Sequence, residues 1–186
     1  MTSNELGILA GFIALIAFVP YIKSILERKT KPNKASWIIW SLVGIIIVGT
    51  YYAVGARDTM GVPLANVIGP LIIAALALKY GEEGWQKLDK VCLVGSFLGL
   101  IVWLLLNQPF VALVMTIFID FLANLPTIRK SYFDPKSENR MTWILLLVAN
   151  TINLFAIERW SFEIAAYPVF LCLTAGIIVV LLSRKK

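Results

Sequence analysis

Seven apolar runs take up almost the whole of this 186-residue chain. They cover residues 6–22, 37–54, 62–78, 91–106, 110–128, 141–157 and 164–182, each 16 to 19 residues long. A helix needs roughly 20 apolar residues, within a range of about 17–25, to cross the hydrocarbon core of a bilayer. The fourth run is at the short end of that range. The gaps hold 14, 7, 12, 3, 12 and 6 residues, so no soluble domain fits between the runs. Composition agrees: 59% of residues are hydrophobic and 15% charged, where a soluble domain has about 45–50% and about 25%. The pattern predicts an all-α integral membrane protein with seven transmembrane helices.

The segment before the first run, 1–5, carries no basic residue, and no small-residue cleavage site follows the run. The first run is therefore expected to stay as a helix rather than leave as a signal peptide. Lys and Arg set the orientation. The gaps after runs one, three and five, together with the tail, hold fifteen of them, from Lys23 to Lys186; the opposite side has only Arg57 and Arg159. Such asymmetry in short loops places the basic side in the cytosol. The N-terminus is expected outside and the C-terminus inside, in the cell membrane. The formal charge of +6 is then a topology device, and nucleic acid is not an expected partner.

The chain also repeats itself. Residues 12–46 set against 118–152, without gaps, match at nine of 35 positions. Apolar matches are cheap in membrane segments, so the weight rests on Pro20/Pro126, Asn33/Asn139 and Trp37/Trp143. Pro63 and Pro168 recur at an offset of 105 rather than 106. The repeat divides the chain into a first three-helix copy (1–80), a linker loop and fourth helix (81–108), and a second three-helix copy (109–186). Three helices turn a copy upside down at its end, and the fourth restores the orientation. The two copies are therefore expected to be parallel, related by a pseudo-two-fold axis along the membrane normal, which is a transporter plan.

Each copy has a proline near the cytosolic end of its first helix, then a basic loop, then a hydroxyl-aromatic start to its second helix. The strings are V-P-Y-I-K-S-I-L-E-R-K-T-K-P-N-K-A-S-W and L-P-T-I-R-K-S-Y-F-D-P-K-S-E-N-R-M-T-W. The third run opens V-P-L-A-N-V-I-G. These motifs resemble the PQ-loop superfamily and, within it, the SWEET-type sugar transporters with their three-plus-one-plus-three helix plan. Tyr21 and Thr127 stand where the glutamine of the PQ pair would be. The resemblance implies alternating access, with Pro20 and Pro126 as hinges. It also implies a small polar metabolite as substrate, a sugar or a similar neutral hydrogen-bonding solute. Vitamin or nucleoside facilitators of the same helix plan are an alternative.

Polar residues inside the runs mark the candidate site. Asp120 is the only Asp or Glu well inside a run, and such a residue faces the bundle interior or a water-filled cavity. Asn124 is one helical turn further on. Asn150 and Asn153 share a face of the sixth helix, and Asn66 lies at a depth matching Asn153. Asn66, Asp120, Asn124, Asn150, Asn153, Trp37 and Trp143 are the candidate substrate-binding residues. Asp120 is the candidate proton-coupling group, or an acceptor for Asn150. Trp37, Trp40 and Trp143 also open helices at the cytosolic interface, where an aromatic belt accounts for them.

An enzyme is not expected. The chain has no histidine and one intramembrane carboxylate, whereas aspartyl chemistry needs two and Ser or Cys chemistry needs a base. Two cysteines, Cys92 and Cys172, sit in apolar runs and form no metal-binding spacing. No cofactor is implied. A seven-helix receptor or sensor fits the span count but not the repeat. The expected partners are the lipid bilayer and a small-molecule solute, and a homo-oligomer is compatible with the plan.

Overall fold

The computed structural model describes residues 1–53, 55–106 and 108–184. Val54, which ends the second apolar run, and the tail residues Lys185 and Lys186 lie outside the described residues. The described residues form seven helices: α1 (Ser3–Leu26), α2 (Lys34–Ala53), α3 (Gly61–Tyr80), α4 (Lys87–Leu106), α5 (Pro109–Phe133), α6 (Arg140–Phe155) and α7 (Phe162–Leu182). Among the described residues all regular secondary structure is helical. Four helices, α1, α3, α4 and α7, are long and apolar enough to cross a membrane, and Lys34–Gly49 and Arg140–Phe155 are shorter apolar stretches. The chain is an α-helical membrane protein.

Helices α1 and α5 outrun their apolar segments at the same end. They were expected to leave the bilayer near residues 22 and 128, and the helices continue to Leu26 and Phe133. Hydropathy reads the edge of the lipid, while a helix stops only where its backbone finds caps. Beyond Phe133 the cap residue Asp134 turns out of the helix. The next helices begin on asparagines that recur in the repeat. Asn33 Oδ1 accepts from the Ser36 amide at 3.0 Å, and Asn139 Oδ1 accepts from the Thr142 amide at 3.0 Å. Each satisfies a backbone donor that a helix start leaves open.

Helix order follows a common rule in both halves. α3 packs against both α1 and α2, and α7 packs against both α5 and α6, so the third helix of each triple lies between the other two. Across the halves α1 meets α6 and α2 meets α5. Exchanging α1, α2 and α3 for α5, α6 and α7 carries these principal contacts onto one another. α4 stands outside this scheme and packs mainly on α5. Its outer side is apolar and open, with Val91, Val94, Phe97 and Leu104 exposed, the surface a lipid-facing helix presents.

Within the first triple, small residues bring backbones together. A Cβ on Gly11 would meet the Gly61 backbone at 2.6 Å, and one on Gly44 would meet the Asn66 carbonyl oxygen at 2.3 Å. Any larger residue would push α3 away from α1 or α2. Close approach through small residues is how membrane helices gain packing energy, since lipid already solvates their apolar side chains.

Candidate functional site

A cavity of about 60 Å³ lies between the two triples. Among the described residues six helices line it, and none of its lining residues comes from α4. From α2 come Trp37, Trp40 and Gly44, and from α6 come Trp143, Leu146 and Asn150, the same spacing of three and four residues on each helix. That spacing keeps three side chains on one helical face. α3 adds Asn66 and Pro70, and α7 adds Tyr167, Leu171, Thr174 and Ala175. Phe18 of α1 and Asp120 and Asn124 of α5 complete the principal walls.

Most of these positions are partners in the repeat. Phe18/Asn124, Trp37/Trp143, Trp40/Leu146 and Gly44/Asn150 stand 106 residues apart, and Asn66/Leu171 and Pro70/Ala175 stand 105 apart. The contact between second and third helices is also made twice. The backbone of Asn66 closes on Gly44, and Asn150 Nδ2 donates to the Leu171 carbonyl at 3.3 Å. Chemistry differs between the halves. The second triple supplies the carboxylate, two amides and two hydroxyls, while the first supplies one amide and mostly aromatic surface.

Asp120 is the most heavily engaged group. Its Oδ1 accepts from Trp40 Nε1 at 2.7 Å and from Asn124 Nδ2 at 3.1 Å. Its Oδ2 accepts from the Tyr167 hydroxyl at 2.9 Å. Asn124 Nδ2 also donates to the Asp120 carbonyl at 2.8 Å. One carboxylate thus ties α2 of the first triple to α5 and α7 of the second.

Of the seven candidate binding residues, the structure brings six to one cavity: Asn66, Asp120, Asn124, Asn150, Trp37 and Trp143. Asn153 is buried on α6 outside the cavity, and its Oδ1 finds no hydrogen-bond partner among the described residues. Asn150 bonds to α7 rather than to Asp120. The belt assignment of the tryptophans needs correction. Trp37 and Trp143 are 2% and 5% exposed, so they face the cavity between the triples instead of the lipid interface. Trp40 and Tyr167, both bonded to Asp120, were missed as site residues. Trp40 carried a legible signal, since it is one turn from Trp37 on the same face. Tyr167 had none, because its partnership with Asp120 depends on which helix α7 packs against.

Both ends of the cavity are closed by named contacts. At the basic end Trp37 Nε1 donates to the Tyr21 hydroxyl at 3.2 Å, and Trp143 Nε1 donates to Glu138 Oε2 at 3.1 Å. Glu138 is paired with Lys130 at 2.7 Å, with side chains 0% and 7% exposed. Lys130 Nζ also donates to the carbonyl of Lys31, joining the last turn of α5 to the loop between α1 and α2. Asn33 Nδ2 reaches Glu82 at 2.7 Å and Asp89 at 3.1 Å. At the other end Tyr51 and Tyr167 meet edge to face at 5.9 Å, and the Tyr51 hydroxyl donates to the Ile164 carbonyl at 3.1 Å. Outside the basic closure lies a wider recess of about 430 Å³, lined by Arg28, Lys29, Arg129 and Lys136 among others.

The proline sites are bridged across the halves. Helices α1 and α5 run through Pro20 and Pro126. Asn139 Nδ2 donates to the Pro20 carbonyl at 3.3 Å. On the other side Ser36 Oγ donates to the Ala123 carbonyl at 2.6 Å and accepts from Thr127 Oγ1 at 2.9 Å. Each proline-containing segment is thus held by the start of the other half's second helix.

The chain matches no protein-family model, no curated protein and no solved structure.

Proposed function

We infer that the chain is a transporter that moves a small polar solute by alternating access. The two triples are parallel copies about an axis along the membrane normal and rock against each other around the cavity between them. In this reading the basic end faces the cytosol of a cell-membrane protein, and the helix plan is the three-plus-one-plus-three plan of SWEET-like PQ-loop proteins. The observation that carries it is the pairing of cavity positions at the repeat offset, since a site built from equivalent residues of two copies lies on their shared axis. A two-fold axis along the membrane normal keeps each face of the membrane in place, and the two triples can part about it at one end of the cavity or at the other, which gives the two states that alternation requires.

Several features support the mechanism. Polar and aromatic closures stand at both ends of the cavity. The volume of about 60 Å³ is far below the roughly 300–1,000 Å³ of an open small-molecule site. The conformation is thus a closed one, and a solute enters only after one end parts. Pro20 and Pro126 each remove a helical hydrogen bond near the basic end, where such parting would bend α1 and α5.

Access to the cavity tests this without knowledge of the solute. In a Cys92→Ser, Cys172→Ser background, Asn66→Cys places one thiol in the cavity. A membrane-impermeant thiol reagent is expected to modify it in right-side-out and in inside-out vesicles alike. Modification from one face only fits a receptor with a one-sided pocket and would overturn the transporter reading.

A further inference from the structure

The cavity holds one carboxylate and no cation. Asp120 is 1% exposed, and its three side-chain partners are the donors Trp40, Asn124 and Tyr167. Among the described residues no Lys or Arg lines the cavity and no ion pair reaches Asp120. Elsewhere the buried Lys130 and Glu138 pair at 2.7 Å, while the buried Asp89 is held by Asn33 Nδ2 and the Gln86 amide and lines the recess rich in Lys and Arg. Buried charges are ordinarily paired or bound to metal, and the described residues contain no cluster that could hold a metal ion. The unpaired carboxylate therefore has room for a positive group that the chain does not supply.

The walls around it specify what kind. Trp37 and Trp40 meet at 4.9 Å and 78°, and Trp40 and Trp143 at 5.9 Å and 61°. Rings turned this far from parallel form the sides of a box rather than a stack. Phe18 and Tyr167 add two more rings to the lining. All three indole N–H groups are committed to protein acceptors: Tyr21, Asp120 and Glu138. The tryptophans thus offer the cavity ring surface and no donors, which suits a polyol poorly. An electron-rich ring face attracts a cation, and most strongly one with few hydrogen bonds to lose, as in the aromatic cages that hold methylated ammonium groups.

Size agrees. A volume of about 60 Å³ has room for roughly four to six water-sized spheres, at about 10–15 Å³ each. That matches an ammonium head with its methyl groups and falls short of a hexose ring. Asn66, whose side-chain amide makes no hydrogen bond among the described residues, remains for a polar substituent on the same molecule.

We propose that the cavity binds the head group of a small organic cation of the methylated ammonium class, with Asp120 as its counter-ion and Trp37, Trp40 and Trp143 as its aromatic walls. This narrows the solute class of the transporter described above and rests on that reading for its physiological meaning, but its test reads binding alone.

Choline and dimethylbutanol, its uncharged carbon isostere, differ in the charge and little else. Each is titrated into wild-type protein in lipid nanodiscs while tryptophan emission is followed, with glucose as a third ligand. Choline is expected to bind about tenfold or more tighter than the isostere, a margin the cation–π and carboxylate attractions supply together. Asp120→Asn is expected to lose that margin and Asp120→Glu to keep most of it. Equal binding of choline and isostere overturns the proposal, as does failure of choline to bind, and both results come from wild-type protein. Choline flux into proteoliposomes separates the two readings. Choline binding without flux keeps the cation site and removes transport. Flux of glucose with no choline binding does the reverse.

Discussion

At the scale of single residues, the sequence reveals what is chemically out of place and hides what depends on folding back. Asp120 was legible because a carboxylate inside an apolar run is costly and must have a reason to be there. Lys130 was not. In the sequence it is one more loop charge that orients the chain, whereas in the structure it is buried against Glu138, eight residues on, and against the backbone of the other half's loop. The pair yields a prediction. Lys130→Met leaves the buried Glu138 carboxylate without its cation, beside the Trp143 N–H and the Tyr21 hydroxyl, and breaking a buried pair from one side costs about 3–5 kcal/mol. Replacing both partners with apolar residues, Lys130→Met with Glu138→Leu, removes the stranded charge and should recover most of that loss. Thermal unfolding of the three proteins in detergent checks it. A single mutant as stable as wild type, or a double mutant no better than the single, contradicts the burial of this pair.

At the scale of helices, the seven apolar runs located all seven elements, because bilayer thickness forces a minimum length on each. Their ends were less legible: α1 and α5 carry on past the lipid edge as ordinary helix into the basic loops. The prolines were legible as repeated positions, but their cross-bridging was not, since nothing local says that Asn139 will reach the Pro20 carbonyl. That bridging sharpens what a substitution should do. Pro20→Ala and Pro126→Ala each restore a backbone N–H, and so one helical hydrogen bond, at a point where the reading above has α1 or α5 bend. A net hydrogen bond contributes about 0.5–1.5 kcal/mol. If bending breaks it, the conformational step slows by about two- to tenfold. Both variants should fold with a melting temperature at or above wild type and exchange solute more slowly in proteoliposomes. Wild-type exchange rates at equal protein content would remove the hinge role.

At the scale of the whole molecule, the repeat predicted two equivalent triples but not how the helices are ordered within them. Loops of 6 to 14 residues allow the third helix to pack on either side, and side-chain packing alone puts it in the middle. The distribution of charge, by contrast, was fully legible, because it needs only the alternation of helices and loops. The loop ends that meet through Asn33, Glu82 and Asp89, through Lys130, Lys31 and Glu138, and through Arg184 and Tyr132 lie at one end of the bundle. Thirteen basic residues of the described chain, from Lys23 to Arg184, lie at that end or in its loops, against Arg57 and Arg159 at the other. Each Lys or Arg near an anionic inner leaflet contributes about 1 kcal/mol, so the imbalance far outweighs thermal energy even after screening. The basic end is therefore expected in the cytosol and Ser3 outside. Lys186 lies outside the described residues, so the exposed Ser183 at the end of α7 serves as the second probe. In the Cys92→Ser, Cys172→Ser background, Ser3→Cys should react with an impermeant maleimide in intact cells. Ser183→Cys should react only after the membrane is permeabilised. The opposite pattern would invert the protein, and the recess of about 430 Å³ lined by Arg28 and Arg129 would then face the outside rather than the cytosol.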